Sequence, residues 1–436
     1  MGRAGASAAD SFREGLLGTA LHVAPFSPVS PDSGGRVRIA ATADALRRRW
    51  RLLAVYVEDD PARLEEARAA VSPGSVVIPG RSRLRFRSAR SRLGDRGLRA
   101  AQLLALTLRL PATSLASDWS ELDRALDASP HADVALVEFG QLAAWRPASV
   151  PSVVVAHDLN WRKQLLRSTF VGRDTRLAAR AESTRLRLEA GRIERDEARA
   201  YARHDAVVVV SELDRDALES AWSRHRIAPK PVFVAPNGVD LERLASAADE
   251  PDAGTALFVG GLEHPPNRDA VSELVESIVP LAGPALERLV LVGSGTESFG
   301  GDRVHGVGRV ADVSIWYRAA AITVAPIRWG SGTRVKILES LACGRPVVAY
   351  PEAVEGLEDL ARTGAIVVVD DGRAFATAIE RLLAEPALAR ALGGRGREAV
   401  ARYDWRETLA PVEQALRAAI STHARLGDTR DGAVAC

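Results

Sequence analysis

The chain has 436 residues, of which 47% are hydrophobic and 26% are charged, and its formal net charge at pH 7 is +2. This length is too great for one small core and fits two α/β domains of roughly 200 residues each. A chain so close to neutral carries no overall signal for a polyanion, so we expect no nucleic-acid partner.

Cysteine content and hydropathy indicate the compartment. Cys343 and Cys436 are the only cysteines, too few for a disulfide framework or a zinc site. Residues 1–15 lack the apolar core of a signal peptide, and no apolar stretch approaches the roughly 18 residues that a membrane span needs. We therefore predict a cytoplasmic protein without a transmembrane segment, which begins with a loosely held extension at residues 1–15.

Lysine is rare in this sequence, which contains only Lys163, Lys230 and Lys336 against a large excess of arginine. We interpret this bias as GC-rich coding, which favours arginine wherever the two residues serve equally well. A lysine that persists at a special position is therefore more informative here than usual.

Short apolar, β-branched segments alternate with longer helical patterns along the whole chain, which is typical of parallel sheets built from βαβ units. The first series of predicted strands covers 21–25, 52–57, 75–78, 132–138, 152–157 and 206–211. The second series covers 232–235, 256–260, 289–293, 304–307, 322–325, 347–350 and 366–370. Two series predict two Rossmann-like domains, and the turn-forming tripeptide Pro236-Asn237-Gly238 marks the break.

The predicted domains are residues 16–235 and residues 236–400. A helical pattern follows, with Leu409, Val412, Leu416 and Ile420 at helical spacing. We expect the segment 401–424 to pack back on the N-terminal domain. Residues 425–436 are polar and contain glycine, so we predict a disordered tail there.

The segment 328–342 reads RWGSGTRVKILESLA and carries the strongest chemical signal. A strand ends at Pro326 and leads into a glycine-rich turn that opens a helix, and glycine lets backbone N–H groups approach an anion closely. Arg334 and Lys336 add full positive charges, while Glu339 shares a helix face with Lys336. Diphosphate needs cations and a ribose diol needs a carboxylate, so this pattern predicts a nucleotide diphosphate site. The alternative is an exposed i,i+3 ion pair worth about 0.2–0.5 kcal/mol.

With these residues in place, the chain resembles the family 4 glycosyltransferases from about residue 20 to residue 420, most clearly over 231–360. The resemblance implies a GT-B fold, in which two Rossmann-like domains face a central cleft. It also implies transfer of sugar from a nucleotide donor of the UDP or GDP type, usually with retention and without a cofactor. The N-terminal domain would then bind the acceptor and the C-terminal domain the donor.

The carboxylates match the family pattern only in part. Glu339 matches the second glutamate of the family's pair separated by seven residues, which holds the donor ribose. Ser331 stands at the position of the first glutamate, which usually contacts the donor sugar. The resemblance therefore leaves the sugar and the stereochemistry open.

The family's arginine and lysine near the first strand of the second domain are also missing. The segment 258–268 reads FVGGLEHPPNR, with no cation at Gly261 or Pro266. Some similar branches carry a Pro-Pro-Asn element here and a Gly-x-Gly-x-Arg-x-Lys turn later. We infer that Arg334 and Lys336 take over the diphosphate, while Gly260 and Gly261 give it access to the backbone.

Three further segments resemble the family's site. The loop at Gly308-Arg309-Val310 resembles the one that meets the nucleobase, and Gly34-Gly35 resembles the N-terminal glycine loop beneath the phosphates. His157 follows a buried strand, where a histidine of relatives contacts the donor sugar or the acceptor. A plain strand-to-helix turn and a hydrogen-bonded structural histidine are the alternatives.

The predicted site is thus complete without a metal. Its catalytic residues are His157, Arg334 and Lys336. Its donor-binding residues are Gly34, Gly35, Gly260, Gly261, Asn267, Gly308, Arg309, Val310, Gly330, Ser331, Gly332, Thr333 and Glu339.

Two other segments of the sequence suggest different functions. The arginine-rich segment 81–99 attracts an anionic acceptor or a membrane surface in one interpretation, and is a solvated loop in the favoured one. The segment 306–311 fits the dinucleotide fingerprint G-x-G-x-x-A. A dehydrogenase would need an acidic residue roughly 20 positions on, and residues 325–328 supply none.

The predicted function is therefore glycosyl transfer, metal-independent and retaining, to a small natural product or to a glycan or lipid-carrier precursor. One alternative is a GT-B sugar-nucleotide epimerase or hydrolase. The other is a GT-B protein that binds a nucleotide sugar without catalysis, which Ser331 suggests.

Overall fold

The computed structural model describes residues 16–31, 33–58, 60–79, 120–127, 131–244, 251–330, 332 and 334–431. The predictions made for residues 1–15, for segment 81–99, for Ser331 and for Thr333 lie outside these ranges. Within them, no helix is both long enough and apolar enough to cross a membrane.

Thirteen described strands form two sheets in which every pairing is parallel. The strands are β1 (Thr19–Ala24), β2 (Arg51–Glu58), β3 (Val76–Pro79), β4 (Val134–Glu138), β5 (Ser152–Ala156), β6 (Ala206–Val209), β7 (Val232–Val234), β8 (Asp252–Val259), β9 (Arg288–Val292), β10 (Val304–Gly308), β11 (Ala320–Ala325), β12 (Val347–Ala349) and β13 (Ile366–Val368). Their orders are β3-β2-β1-β4-β5-β6-β7 in the first sheet and β10-β9-β8-β11-β12-β13 in the second.

The central strands are mostly apolar because helices cover both faces of each sheet. Every residue of β4, β5, β6 and β11 is buried. Each of the thirteen predicted strand segments overlaps one of these strands. The placement of segment 232–235 in the second series is wrong, because β7 pairs with β6 and ends the first sheet, inside the predicted first domain of residues 16–235. A run of apolar residues predicts a strand but does not say which strand pairs with it.

The helices follow the strands in βαβ order. They are α1 (Gly34–Arg47), α2 (Pro61–Ala70), α3 (Ser120–Asp127), α4 (Asn160–Val171), α5 (Leu177–Tyr201), α6 (Glu212–His225), α7 (Leu241–Leu244), α8 (Pro265–Glu273), α9 (Val279–Leu281), α10 (Ser314–Ala319), α11 (Val335–Ala342), α12 (Glu358–Ala361), α13 (Gly372–Ala384), α14 (Pro386–Val400), α15 (Trp405–Thr408) and α16 (Ala410–Asp431), with a π-helical turn at Leu274–Ile278 between α8 and α9.

Helix α16 lies on the first sheet although it follows the second in the chain. Val412 and Leu416 share a buried cluster with Leu136, Val153 and Val208 of β4, β5 and β6. The helix continues to Asp431, past residue 425, where the sequence predicts that a disordered tail begins. Gly427 does not stop it, since one glycine inside a helix costs only about 1 kcal/mol relative to alanine.

Two chain crossings join the halves. Val239 and Asp404 form a parallel bridge where the crossings meet. The buried guanidinium of Arg38 on α1 donates to Asn237 Oδ1 at 2.9 Å and to the Ala235 carbonyl at 2.8 Å. The segment 235–239, where the chain first crosses between the domains, is therefore bonded both to α1 of the first domain and to the returning chain at Asp404.

Two ion pairs also connect α4 and the turn after it with the second domain. Arg162 Nη2 lies 2.7 Å from Glu355 Oε1, and Arg173 Nη2 lies 2.7 Å from Glu352 Oε1. The two halves are therefore connected by side-chain ion pairs as well as by the chain crossings.

Both sheets reverse their strand order once, between β1 and β4 and between β8 and β11. In open α/β sheets, ligands bind outside the carboxyl ends of the strands at such a switch point. Here the carboxyl ends of the strands of both sheets face the same cleft. We therefore expect the functional residues to lie in this cleft.

Candidate active site

A cleft of about 890 Å³ lies between the two sheets. It is lined from the first half by the residues that follow β1, β4 and β5, and from the second half by those that follow β8, β9, β10 and β11. The cleft therefore coincides with the switch points of both sheets, as expected for a ligand site in an α/β fold.

The glycine turn before α11 crosses toward the first domain. Gly330 and Gly332 have φ values of +125° and +81°, which L side chains rarely adopt. A Cβ on Gly332 would lie only 2.8 Å from Asp158 Oδ1, just beyond the end of β5. Glycine therefore serves two needs here, a left-handed backbone and a close approach to the opposite wall.

Lys336, in the first turn of α11, points into the site over the end of β8. Its ammonium donates to Asn267 Oδ1 at 2.9 Å and lies 4.2 Å from the centre of the Phe258 ring. Burial, together with the nearby charge of Arg334, lowers the pKa of Lys336 to about 7. A Cβ on Gly260 would come within 2.9 Å of this ammonium, so the glycine leaves room for it.

Glu339 lies one turn further along α11 and is buried. The hydroxyl of Tyr317 donates to Glu339 Oε2 at 3.0 Å, and Arg243 Nη2 lies 3.6 Å from Oε1. Burial raises the pKa of this carboxyl against the lowering effect of Arg243 and Tyr317. Lys336 and Glu339 both line the cleft, and each contacts a different partner. The alternative of an exposed i,i+3 ion pair between them therefore does not hold.

The amino ends of α1 and α11 face each other across the cleft. A Cβ on Gly34 would lie 3.6 Å from Val335 Cγ2. Gly35 packs against Phe139, whose ring would be 2.9 Å from a Cβ at that position. Two helix amino ends, each the positive end of a helix dipole, favour an anion between them.

His157 follows β5, is 7% exposed and lines the cleft. Its Nε2 lies 2.5 Å from Glu138 Oε2, and Phe139 stacks on the imidazole with ring centres 3.6 Å apart. Burial lowers the pKa of His157, although the charge of Glu138 opposes this. The ring is thus held on one edge and one face, and burial favours its neutral form.

The remaining predicted residues divide into those in the cleft and those behind it. Gly261, Asn267, Arg309, Val310 and Arg334 line it. Gly308 and Gly330 do not, although their positive φ values shape the loops that do. The Gly308 N–H is already donated to Thr296 Oγ1 at 3.0 Å.

The sequence did not identify several residues that the fold brings to the site. Lys163, His264, Asn237 and Phe139 line the cleft, and Glu138 lies directly behind His157. A glutamate that ends the buried run VALVE was the one signal available for Glu138. Among the described residues, no three His, Cys, Asp or Glu side chains are grouped as metal ligands would be, and metal independence stays a prediction.

The family model for glycosyl transferases group 1 matches residues 253–385, from β8 to the beginning of the α13–α14 turn. This segment, residues 253–385, is similar to the group 1 glycosyl transferases and is called the group 1 segment below. This group 1 segment holds Lys336, Arg334 and Glu339, together with the glycines at the end of β8.

Relatives matched by sequence extend beyond the group 1 segment. The phosphatidyl-myo-inositol mannosyltransferase of Mycobacterium leprae is 30% identical over 214 residues, which are 45% of this chain and 55% of that protein. The chain spans about half the length of the curated relatives it matches first.

Solved structures resemble nearly the whole chain. The α,α-trehalose 6-phosphate synthase of Burkholderia multivorans aligns with a TM-score of 0.62 and 15% identity over 95% of this chain and 98% of that one. The HepE protein of Anabaena, solved in complex with UDP, aligns with a TM-score of 0.54 and 15% identity over 92% and 99%. These likenesses confirm the GT-B fold of two facing Rossmann-like domains.

Proposed function

We propose that the protein transfers a sugar from a nucleoside-diphosphate sugar to an acceptor hydroxyl. The new bond joins the acceptor oxygen to the anomeric carbon, and the bond from that carbon to the diphosphate breaks. The diphosphate leaves with the electron pair and takes up the acceptor's proton. The observation that carries the proposal is the convergence of Lys336, Arg334 and the amino ends of α1 and α11 in one cleft. The group 1 segment lines one side of this cleft.

The second domain would hold the donor. Lys336 and Arg334 neutralise the diphosphate, the backbone at Gly260 and Gly261 approaches it, and Glu339 accepts hydrogen bonds from the ribose hydroxyls. Charge stabilisation of this kind, aimed at the leaving group, supplies much of the rate enhancement in transfer reactions. Arg309 and Val310 border the place where the base would lie, and the UDP complex of the HepE protein supports a uracil base.

The first domain would hold the acceptor. His157 faces the reacting centre from the end of β5, while Asn160 and Lys163 of α4 line the same wall. We propose transfer with retention and without a metal, in the cytoplasm. The acceptor is a small natural product or a glycan or lipid-carrier precursor.

A nucleotide panel tests the donor half of the proposal. A ligand present at 100 times its dissociation constant stabilises the fold by about 2.7 kcal/mol, so UDP or GDP should raise the melting temperature while the matching monophosphate has less effect. The proposal is overturned if all nucleotides raise the melting temperature equally, or if no nucleotide raises it.

Product analysis tests the reaction itself. Release of nucleoside diphosphate from a nucleotide sugar should depend on added acceptor and should yield a glycosylated product. Release at the same rate without an acceptor indicates a hydrolase, and a changed sugar still attached to the nucleotide indicates an epimerase. Binding without any turnover indicates a non-catalytic nucleotide-sugar-binding protein.

A further inference from the structure

A buried carboxylate stands behind the cleft and connects two histidines. Glu138, the last residue of β4, is 0% exposed. Its Oε2 meets His157 Nε2 at 2.5 Å, and its Oε1 meets His22 Nε2 at 3.1 Å. On the far side of His22, Nδ1 lies 3.0 Å from the Tyr56 hydroxyl. This chain of contacts runs from the interior of the sheet to the wall of the cleft.

The proton positions in this chain follow from its chemistry. The two histidines hold the pKa of Glu138 well below its usual range despite the opposing effect of burial. An ionised carboxylate only accepts hydrogen bonds, so both Nε2 atoms must carry protons. Burial raises the pKa of Tyr56, and the phenol keeps a proton that it can donate to His22 Nδ1.

The other nitrogen of His157 is left for the cleft. Burial lowers the pKa of this imidazole and so favours its neutral form, which has one donor and one acceptor nitrogen. Because Nε2 donates to Glu138, Nδ1 is the acceptor. Among the residues that the structure describes, Nδ1 makes no hydrogen bond.

The ring cannot readily turn over to exchange its nitrogens. Phe139 stacks on it with an interplanar angle of 7°, and Phe26 packs edge-on against Phe139 with ring centres 5.0 Å apart. Phe139 itself has a φ of +71°, an uncommon conformation for an aromatic residue. Such conformations persist where the surrounding structure imposes them, and they cluster at functional sites.

We infer that Glu138 is a positioning residue, which holds His157 with Nδ1 turned to the cleft as a hydrogen-bond acceptor. The substrate group that meets this ring is then a hydroxyl, on the transferred sugar or on the acceptor, and not a phosphate, whose oxygens would face a lone pair. This inference rests on the proposed function for the identity of the substrate. The state of the ring is a property of the free protein and is tested separately.

Nitrogen-15 NMR of the imidazoles tests the state of the ring without any substrate. The sequence has 8 histidines, and the His157 signals are those missing from a His157→Gln sample. At pH 7.5 we expect a protonated Nε2 and an unprotonated Nδ1, unchanged when UDP is added. A proton on Nδ1, in the free protein or in the presence of UDP, overturns the inference.

Kinetics of Glu138→Gln tests the positioning role. We expect kcat to fall at least about 10-fold while the dissociation constant for the nucleoside diphosphate stays within about twofold. The charges that face His157 are Glu138 and Asp158, which favour the imidazolium, and Arg38, which opposes it. Removing the Glu138 charge therefore makes the ring harder to protonate, and the acid limb of the pH–rate profile should move to lower pH.

Glu58→Gln is the matched control, because Glu58 is a buried carboxylate that ends β2, two strands away, and pairs with Arg36 at 2.8 Å. It should leave the acid limb in place even if stability falls. Glu138→Asp keeps the charge and should recover part of the lost kcat. An acid limb that moves equally in both glutamine variants, or no recovery by aspartate, shows a merely structural role. If the wild type turns over no nucleotide sugar, the proposed function fails while the NMR result still decides the state of the ring.

Discussion

Lys336 donates a 2.9 Å hydrogen bond to the side-chain carbonyl of Asn267, whose amide in turn donates to the Gly261 carbonyl at 2.9 Å. The ammonium is thereby fixed over the glycine turn that follows β8. An ammonium is a compact charge on a flexible stem, whereas guanidinium is a wide planar fork. The size of the cation at this position is therefore a property that experiments can probe.

Lys336→Arg keeps the charge but should lower kcat/KM at least about 10-fold, which corresponds to roughly 1.4 kcal/mol. The reason is that a second fork beside Arg334 crowds the narrow space over Gly260. Lys336→Ala should lose more, since only Arg334 then neutralises the leaving group. Steady-state kinetics measures both, and Lys230→Arg, a lysine outside the cleft, is the control. Wild-type kinetics in Lys336→Arg would mean that charge alone matters.

Nucleotide binding should take up a proton above pH 7. Burial and Arg334 lower the pKa of Lys336 to about 7 in the free protein, and a bound diphosphate raises it by favouring the charged form. Affinity is therefore fully present below pH 7 and falls as pH rises through 7 toward the pKa of the complex. Calorimetry at pH 8 in buffers of different ionisation enthalpy should show uptake, which Lys336→Arg abolishes. Uptake that persists in this variant must come from another group.

Glu339→Gln should weaken nucleoside-diphosphate binding about 10-fold to 100-fold. Hydrogen bonds to a charged acceptor contribute about 1.5–3 kcal/mol each, and the amide accepts from the ribose hydroxyls less strongly. Tyr317→Phe is the control, because it removes the 3.0 Å bond to Glu339 from outside the cleft. Isothermal titration of both variants separates the effects, and equal losses would assign Glu339 a structural role.

Gly332→Ala should destabilise the turn and weaken donor binding. An L side chain in the left-handed region costs about 1–2 kcal/mol, and the new Cβ would also approach Asp158 Oδ1 to 2.8 Å. Gly394→Ala is the control, because Gly394 lies inside α14 and no described heavy atom comes within 4 Å of a Cβ placed there. Thermal melts should show a loss for the first variant and a small gain for the second. A neutral Gly332→Ala would place the turn in another conformation.

Transfer should survive excess EDTA. Arg334, Lys336 and two helix amino ends supply the positive charge that a divalent cation would otherwise bring to the leaving diphosphate. Rates are to be measured after chelation and again after adding magnesium or manganese. A complete loss that either metal restores would contradict the prediction.

The strands were predictable because their residues are buried on both faces, which leaves a continuous apolar run in the sequence. β5 is a clear case, with Ser152–Ala156 wholly buried. The partner of β7 was not predictable, since its apolar run is equally compatible with the outer strand of either sheet. The end of α16 was not predictable either, because Gly427 suggests a helix end whereas the helix continues to Asp431.

The site was predictable where its residues are neighbours in sequence. The glycine turn, Lys336 and Glu339 lie within one strand–turn–helix unit, so their spacing carries the signal. Glu138 and His22 are 116 positions apart, and only the topology of the sheet brings them together. The alternative pairing of Lys336 with Glu339 is replaced by contacts with Asn267 and Tyr317, which tertiary packing brings to the two side chains.

Helix α16 has a consequence for the order in which the domains mature during synthesis. Its residues Val412, Leu416 and Ala419 complete a core that includes Ala20 of β1 and Leu136 of β4. The ribosome delivers them after the second domain, whose strands and helices are contiguous in the chain. Domains of most proteins mature from the amino end during translation. Here the second domain can close its core first, while part of the first sheet stays uncovered until α16 has been made.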